Sequence, residues 1–344
     1  MTLGETPAAP IAETLRSVEA ARVRVEPERS IDPARWDAFA AECGGSFRCG
    51  YRASIGWQLD HHARFRMRRF AIWLEGRERI RIGQVAIGMG PRLRVFADGI
   101  QLTREYAHLW PRAMQTVLAT TGEGFYQYGS RWSLEPARHA ECAQVEGITV
   151  DAVKPITMYA VDFSGWISWD AYLRSVSENA RRNAKKADRL GSALTIEVRR
   201  GWSMLRDASH LLRLRKGLYE RKRIPFSTRT STLRLLLRAW AMRERAFIAV
   251  ARLRGNPISS FGGIVFGENT YFVDAGSMEE DHGIYWHLML RMLRDAYERA
   301  PRGRFVTGAY YEGSPVSPGL DFFRHQCRAQ GSPTSEFTFR YRRT

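Results

Sequence analysis

FIAVARLRGNPISSFGGIVFGENTYFVDAG, residues 247–276, reads as three strands joined by two tight turns. Residues 247–252, 258–266 and 270–276 are rich in aromatic and β-branched side chains. Arg254-Gly255-Asn256 and Gly267-Glu268-Asn269 separate them with turn residues. The same series stands earlier in the chain, as residues 70–75 (FAIWLE), 82–88 and 92–99 (RLRVFADG). Both triplets end in an acidic residue and a glycine. Each leads into a helical stretch, about residues 105–119 and 284–300, and then into a glycine-studded strand, 124–130 (GFYQYGS) and 303–309 (GRFVTGA). Gly124 and Gly129 stand at one constant offset from Gly303 and Gly308. Helical segments also precede each triplet. An order of helices, three-strand meander, helix and strand, stated twice, predicts an α/β fold of two tandem domains with mixed sheets flanked by helices. The expected division is a leader over residues 1–24, a first domain over 25–160 and a second over 161–344, each with its own sheet.

Within the helix expected at 284–300, Leu288, Met289, Met292 and Ala296 form an apolar stripe. His287 lies on the opposite face with Arg291, Arg294 and Glu298, and reads as solvated.

Composition narrows the partners. The net charge is +17, and only five of the 53 basic residues are lysine. Such an excess of base favours polyanions: nucleic acid, nucleotide-linked substrates or an anionic membrane face. No run reaches the ~18 apolar residues of a membrane span. The first residues lack the basic and apolar regions of a secretion signal, so a cytoplasmic location is expected. Cys43, Cys49, Cys142 and Cys327 form no C-x-x-C pair and there is no H-E-x-x-H, so the four read as idle thiols and no metal is expected.

A basic helix is expected in SENARRNAKKADRLG, residues 177–191. Val176, Ala180, Ala184 and Ala187 give this helix a narrow packing stripe. Arg181, Arg182, Lys185, Lys186 and Arg189 cover the rest, and Arg181, Lys185 and Arg189 fall on one line at i, i+4, i+8. An uncompensated line of like charge is suited to anion binding; a solvated face is the alternative.

This segment resembles the R-x-x-[IA]-[KR]-K-A-x-[KR]-x-G run that opens the second domain of Fem-type aminoacyltransferases, tandem relatives within the GNAT superfamily. The resemblance continues through YFVDAGS (271–277) and GLDFFRHQCRAQ (319–330), and in all spans about residues 30–342. It implies an enzyme that takes an amino acid from aminoacyl-tRNA, as co-substrate and without another cofactor, and attaches it to an amine or hydroxyl. The acceptor would be a peptidoglycan precursor or a small molecule of natural-product biosynthesis. The five cations of the basic helix would then hold tRNA. Two departures stand out: the family's F-K lysine is Arg324, after Phe323, and its Y-D-F-G-G segment is only loosely echoed by Thr307-Gly308-Ala309.

Acyl transfer needs a held carbonyl, stabilisation of its oxyanion and a deprotonated nucleophile. Arg324 is the first candidate for oxyanion stabilisation. Asp274, at the end of the meander, and Glu312, beyond the next strand, are candidate bases. His282, Tyr285 and Phe323 are candidate substrate contacts. Relatives that use acyl-CoA, the alternative donor, carry [QR]-x-x-G-x-[GA] before the helix, so that backbone N–H groups reach the pyrophosphate. Here that stretch is Met278-Glu279-Glu280-Asp281-His282-Gly283, with three consecutive acids. A third possibility is a non-catalytic nucleic-acid binder, since aromatics interleave with arginine over residues 65–73.

Overall fold

The computed structural model describes residues 21–61, 64–279, 282–311 and 317–344. Its strands are β1 (Arg22–Pro27), β2 (Arg66–Glu75), β3 (Arg79–Met89), β4 (Arg94–Phe96), β5 (Gln101–Leu102), β6 (Gly124–Tyr128), β7 (Ile148–Asp162), β8 (Leu194–Arg200), β9 (Ala246–Leu253), β10 (Asn256–Phe266), β11 (Asn269–Ser277), β12 (Arg304–Tyr310) and β13 (Gln330–Tyr341). Strand β1 begins inside the stretch expected as leader.

The meander residues form β2–β3–β4 and β9–β10–β11 in antiparallel pairs. In each half the helix that follows, Trp110–Thr121 or Ile284–Arg299, returns the chain to a strand parallel to the third of the meander. The expected duplication is therefore present. Gly129 and Gly308 even share a positive φ, 85° and 95°. The expectation of two separate sheets is corrected: the strands make one 13-stranded sheet, in the order β1-β2-β3-β4-β6-β13-β7-β12-β11-β10-β9-β8, with β5 beside β3.

The joint is an exchange of strands. Strand β7, which follows the first half, pairs with β12 of the second. Strand β13, the last of the chain, pairs with β6 of the first half along one edge and β7 along the other. Each half thus needs a strand from beyond its own contiguous segment.

Alternation explains the apolar run of β9. Phe247, Ala249 and Ala251 face a core made with helices Trp169–Ser175, Glu178–Asp188 and Ile284–Arg299. Ala246, Ile248 and Val250 face the other layer, with helices Ala208–Arg221 and Thr228–Met242. A strand covered on both faces is apolar throughout. The second layer also takes in Ala40, Cys49 and Phe47 from the first half, so an apolar core crosses between the halves.

Because β13 completes both halves, they should unfold together. Phe339 in β13 is fully buried and stacks on Tyr126 of β6 at 5.2 Å. Phe339→Ala should cost about 3–5 kcal/mol. Calorimetry should show a single transition for the native chain and the variant alike; two separable transitions would mean that the halves fold independently.

Candidate active site in the second half

Strands β11 and β12 pair only at Thr270–Phe305 and Tyr271–Val306, and then diverge. On the other side of β11 the register with β10 shifts between Phe272 and Asp274, so Val273 is an extra residue without a partner in either ladder. The gap opens into a cleft of about 680 Å³, in the size range of ligand sites. Residues 272–277 form one wall and Thr307, Gly308 and Ala309 the other. Helices Ala208–Arg221 and Thr228–Met242 flank the opening, and Phe47, Arg48, Arg131 and Trp132 of the first half close one side.

The first half has the same geometry with the opposite outcome. Strands β4 and β6 also pair only twice, at Arg94–Tyr126 and Val95–Gln127. The residue after the last parallel pair is Tyr128 there and Thr307 in the second half. The Tyr128 ring occupies the first gap, where its hydroxyl accepts from Ile100 N (3.0 Å) and Trp110 Nε1 (3.1 Å) and donates to Glu135 Oε2 (3.1 Å). Burial, with Asp98 nearby, pushes the Glu135 carboxyl up to about 8. A ring and a carboxyl plug one splay, and a threonine leaves the other open.

The cleft is strongly cationic. Arg48, Arg131, Arg215, Lys222, Arg234 and Arg238 line it, and Asp274 is the one acid among the described lining residues. Asp274 is 5% exposed and ion-paired to Arg215 and, at 2.7 Å, to Arg238. Burial alone would raise its pKa, but the two guanidinium groups outweigh that and hold it below the ordinary carboxylate value. Gly276 makes the arrangement possible: a Cβ there would run into Leu214 and the Arg215 backbone, so only glycine lets the helix lie this close to β11.

Of the residues expected at the site, Asp274, Tyr285 and Phe323 come together as cleft lining. Phe323 stacks with Phe272 (5.7 Å) and Trp286 (5.5 Å). Arg324 lies behind the wall rather than in the cleft. It is 1% exposed, donates to Gly308 O and Asp321 Oδ1 (both 2.8 Å), and stacks on Tyr159 at 4.2 Å. His282 is exposed, has a positive φ of 51° and does not line the cleft. Glu312 lies outside the described residues. Arg181, Arg182, Lys185, Lys186 and Arg189 are all exposed on the outer surface, away from the cleft lining, while Ala180, Ala184 and Ala187 bury the helix's other face. His287 is not simply solvated: its Nδ1 stands 2.9 Å from Asp188 of that helix.

The arginines and aromatics of residues 65–73 are split between the two faces of the strand, with Arg69 turned to Tyr51 and Ser54 and Phe70 buried in the core. Phe65 and Met67 lie over Gly88 with Trp57, whereas Arg66 and Arg68 alternate to the exposed opposite side. They form no common platform for bases. Arg215, Arg238, Arg48 and Arg131 carry no signal of their own in the sequence: the first three lie in stretches that read as helical and Arg131 follows the strand at 124–130. The contrast of Tyr128 with Thr307, one residue before the paired glycines, was the available signal for which half is open.

A family profile described as an acetyltransferase (GNAT) domain matches residues 174–312, the half with the open cleft. The duplicated, splayed sheet is the GNAT fold in tandem. Its particular form is Fem-like: the structure of FemX superposes with a TM-score of 0.69 at 14% identity, covering 92% of this chain and 97% of that one. L-PGS from Bacillus licheniformis aligns with a TM-score of 0.51 at 13% identity (92% and 94% covered). A conserved protein of unknown function from Bacteroides thetaiotaomicron gives 0.53 at 9% identity (91% and 99% covered). No curated protein sequence matches this chain.

The Asp274 pair makes a prediction about acid stability. A carboxylate whose pKa is lowered on folding adds stability above its ordinary value of 3.8 and loses it as pH falls through the lowered folded value. Asp274→Asn should be less stable by about 3–5 kcal/mol at neutral pH, because it strands two cations. It should also lose less stability than the native chain below about pH 4. Urea unfolding of both proteins across that range tests the sign; parallel curves would exclude the pairing.

Proposed function

We propose that this chain is an acyltransferase that moves an aminoacyl group from aminoacyl-tRNA to an amine or hydroxyl bound in the second-half cleft. A small-molecule or cell-wall-precursor acceptor fits this reading. The observation that carries it is the open splay on a Fem-like fold, lined among the described residues by six cations against one acid. An excess of cations suits a donor whose reactive ester stands among phosphates.

In this reading the acceptor nitrogen attacks the ester carbonyl and the ribose oxygen departs with the bonding pair. The proton lost by nitrogen ends on that oxygen. Asp274, held as a carboxylate by two arginines, is a weak base, and its role is to fix Arg215 and Arg238. These, with the unpaired backbone of Val273, are the groups suited to developing negative charge. Arg324 fixes the Gly308 carbonyl and acts as a positioning residue. The four cations of helix Glu178–Asp188 and its C-cap Arg189 would meet the tRNA body as position-tolerant charges.

One further contact favours this donor over acyl-CoA. Gly283 caps helix Ile284–Arg299 with a φ of 83°, and a Cβ there would run into the Asn183 carbonyl. A diphosphate brought to that N-terminus would face the Asn183 carbonyl oxygen rather than a clear nest of N–H donors.

Incubation with mixed charged tRNAs and mixed acyl-CoAs, following which donor is consumed, tests the reading. Loss of the aminoacyl ester without CoA is the expected result, and turnover with acyl-CoA alone would reverse it. In the same assay Arg189→Ala should weaken tRNA binding modestly and flatten its salt dependence by about one counterion, leaving the maximal rate intact. Arg238→Ala should lower turnover by roughly 10²–10³. Small, equal effects at both sites would remove both assignments.

A further inference from the structure

The two halves carry an aspartate at the same place. Three residues beyond Val95, which pairs with Gln127, stands Asp98; three beyond Tyr271, which pairs with Val306, stands Asp274. Asp274 faces the open cleft. Asp98 is buried at 3% exposure, does not line the cleft and makes no arginine ion pair among the described residues.

Its hydrogen bonds go to two turns. Ser46 N and Cys49 Sγ donate to Asp98 Oδ2 (both 3.3 Å), and Ser130 Oγ donates to Oδ1. The turn at residues 46–49 is closed further by Arg48 N on Ser46 Oγ (3.2 Å), and the second turn by Trp132 N on Ser130 Oγ (3.1 Å). The first turn carries Phe47 and Arg48, the second Arg131 and Trp132, and all four line the cleft. Phe47 and Trp132 meet each other at 5.4 Å and both pack on Tyr271 of β11 (5.0 and 6.2 Å). Arg48 and Arg131 have no carboxylate partner among the described residues. Arg48 stands 6.0 Å from the Trp57 ring, with its Nε buried and unbonded. One buried carboxylate therefore ties together both turns that deliver the first half's cations to a site in the second.

We propose that Asp98 is a positioning residue for the cleft: by holding the turns at 46–49 and 130–133 it aligns Arg48 and Arg131 for an oxyanion of the bound substrate. The first half has lost its own opening and kept its aspartate as the anchor of its neighbour's wall.

This rests on reading the cleft as the substrate site, but its test needs no turnover. Binding of inorganic pyrophosphate, and of citrate to separate phosphate from carboxylate recognition, is measured by calorimetry on the full chain. The native protein should bind one of the two saturably. Arg48→Ala/Arg131→Ala should weaken that binding at least about tenfold. Asp98→Asn, which touches no ligand, should weaken it nearly as much, and adding it to the double variant should cost little more, as coupled groups require. If Asp98→Asn fails to fold, Ser130→Ala removes one of the three bonds to Asp98 and should give about a threefold loss in a protein that still folds, with a melting temperature lowered by the lost buried bonds. In the acylation assay the same variants should raise the KM of one substrate and leave kcat near the native value. Absence of saturable binding to the native chain, or folded Asp98→Asn and Ser130→Ala proteins that bind as tightly as it does, would overturn the proposal. Donor consumption without any effect at Asp98 would leave the acyl-transfer reading standing and remove only this one.

Discussion

Strand β13 is hydrogen-bonded on both edges, to β6 over residues 337–341 and to β7 along its whole length. The rest of the molecule depends on that placement. It turns two sheets into one, fixes the twist between the halves, and sets the first half's turns against β11. A hinge at this joint would break ladder bonds on both sides and expose the apolar cluster that spans Cys49, Tyr271 and Met242. The cleft wall contributed by the first half is for that reason part of a continuous scaffold, which is what a site needs if its polar groups are to be held ready rather than gathered by the ligand.

Within this frame duplication has produced one open splay and one closed. The backbone geometry is shared: two parallel pairs, a divergence, a positive-φ glycine and an aspartate three residues past the last pair. What differs is the volume and partners of the side chains. Tyr128, Glu135 and Trp110 satisfy each other in the first gap, and among the described residues Thr307 stands in the second where Tyr128 stands in the first. The aspartates diverge in the same way. Asp274 is balanced by two guanidinium groups, while Asp98 is satisfied by a hydroxyl, a thiol and an amide. A buried carboxylate must have such partners, and the choice of partner decides whether it shapes a charged site or a wall.

The electrostatics of the cleft follow. Burial pulls Arg48 below the ordinary guanidinium value, with Asp98 acting against it, whereas Asp274 overrides burial at Arg215 and raises it. Cations held close together at partial burial repel one another and lose hydration, a cost that an incoming anion relieves. Among the described residues no helix is long and apolar enough to cross a membrane.

Much of this was legible in order of residues. Two meanders, two following helices and two glycine strands determined that the fold is a duplicated α/β one, because period and turn chemistry act locally. The apolar stripe of Ala180, Ala184 and Ala187 likewise located the basic helix; Asp274 and Tyr285 were found because they sit on the meander and helix that the repeat defines, and Phe323 through the family resemblance of residues 319–330. The union of the sheets was not legible: β13 carries the same alternation whether it pairs with one strand or two, and pairing partners are chosen by long-range contact. Nor was the fate of the arginines. Arg324 and Arg238 are alike as letters, but Arg324 is spent on Gly308, Asp321 and Tyr159 behind the wall, while Arg215 and Arg238 reach Asp274 from two different helices, the first of them admitted to the sheet by Gly276. Charge is written in the sequence; what it faces is decided by packing, because only packing sets the distance and the dielectric between two groups.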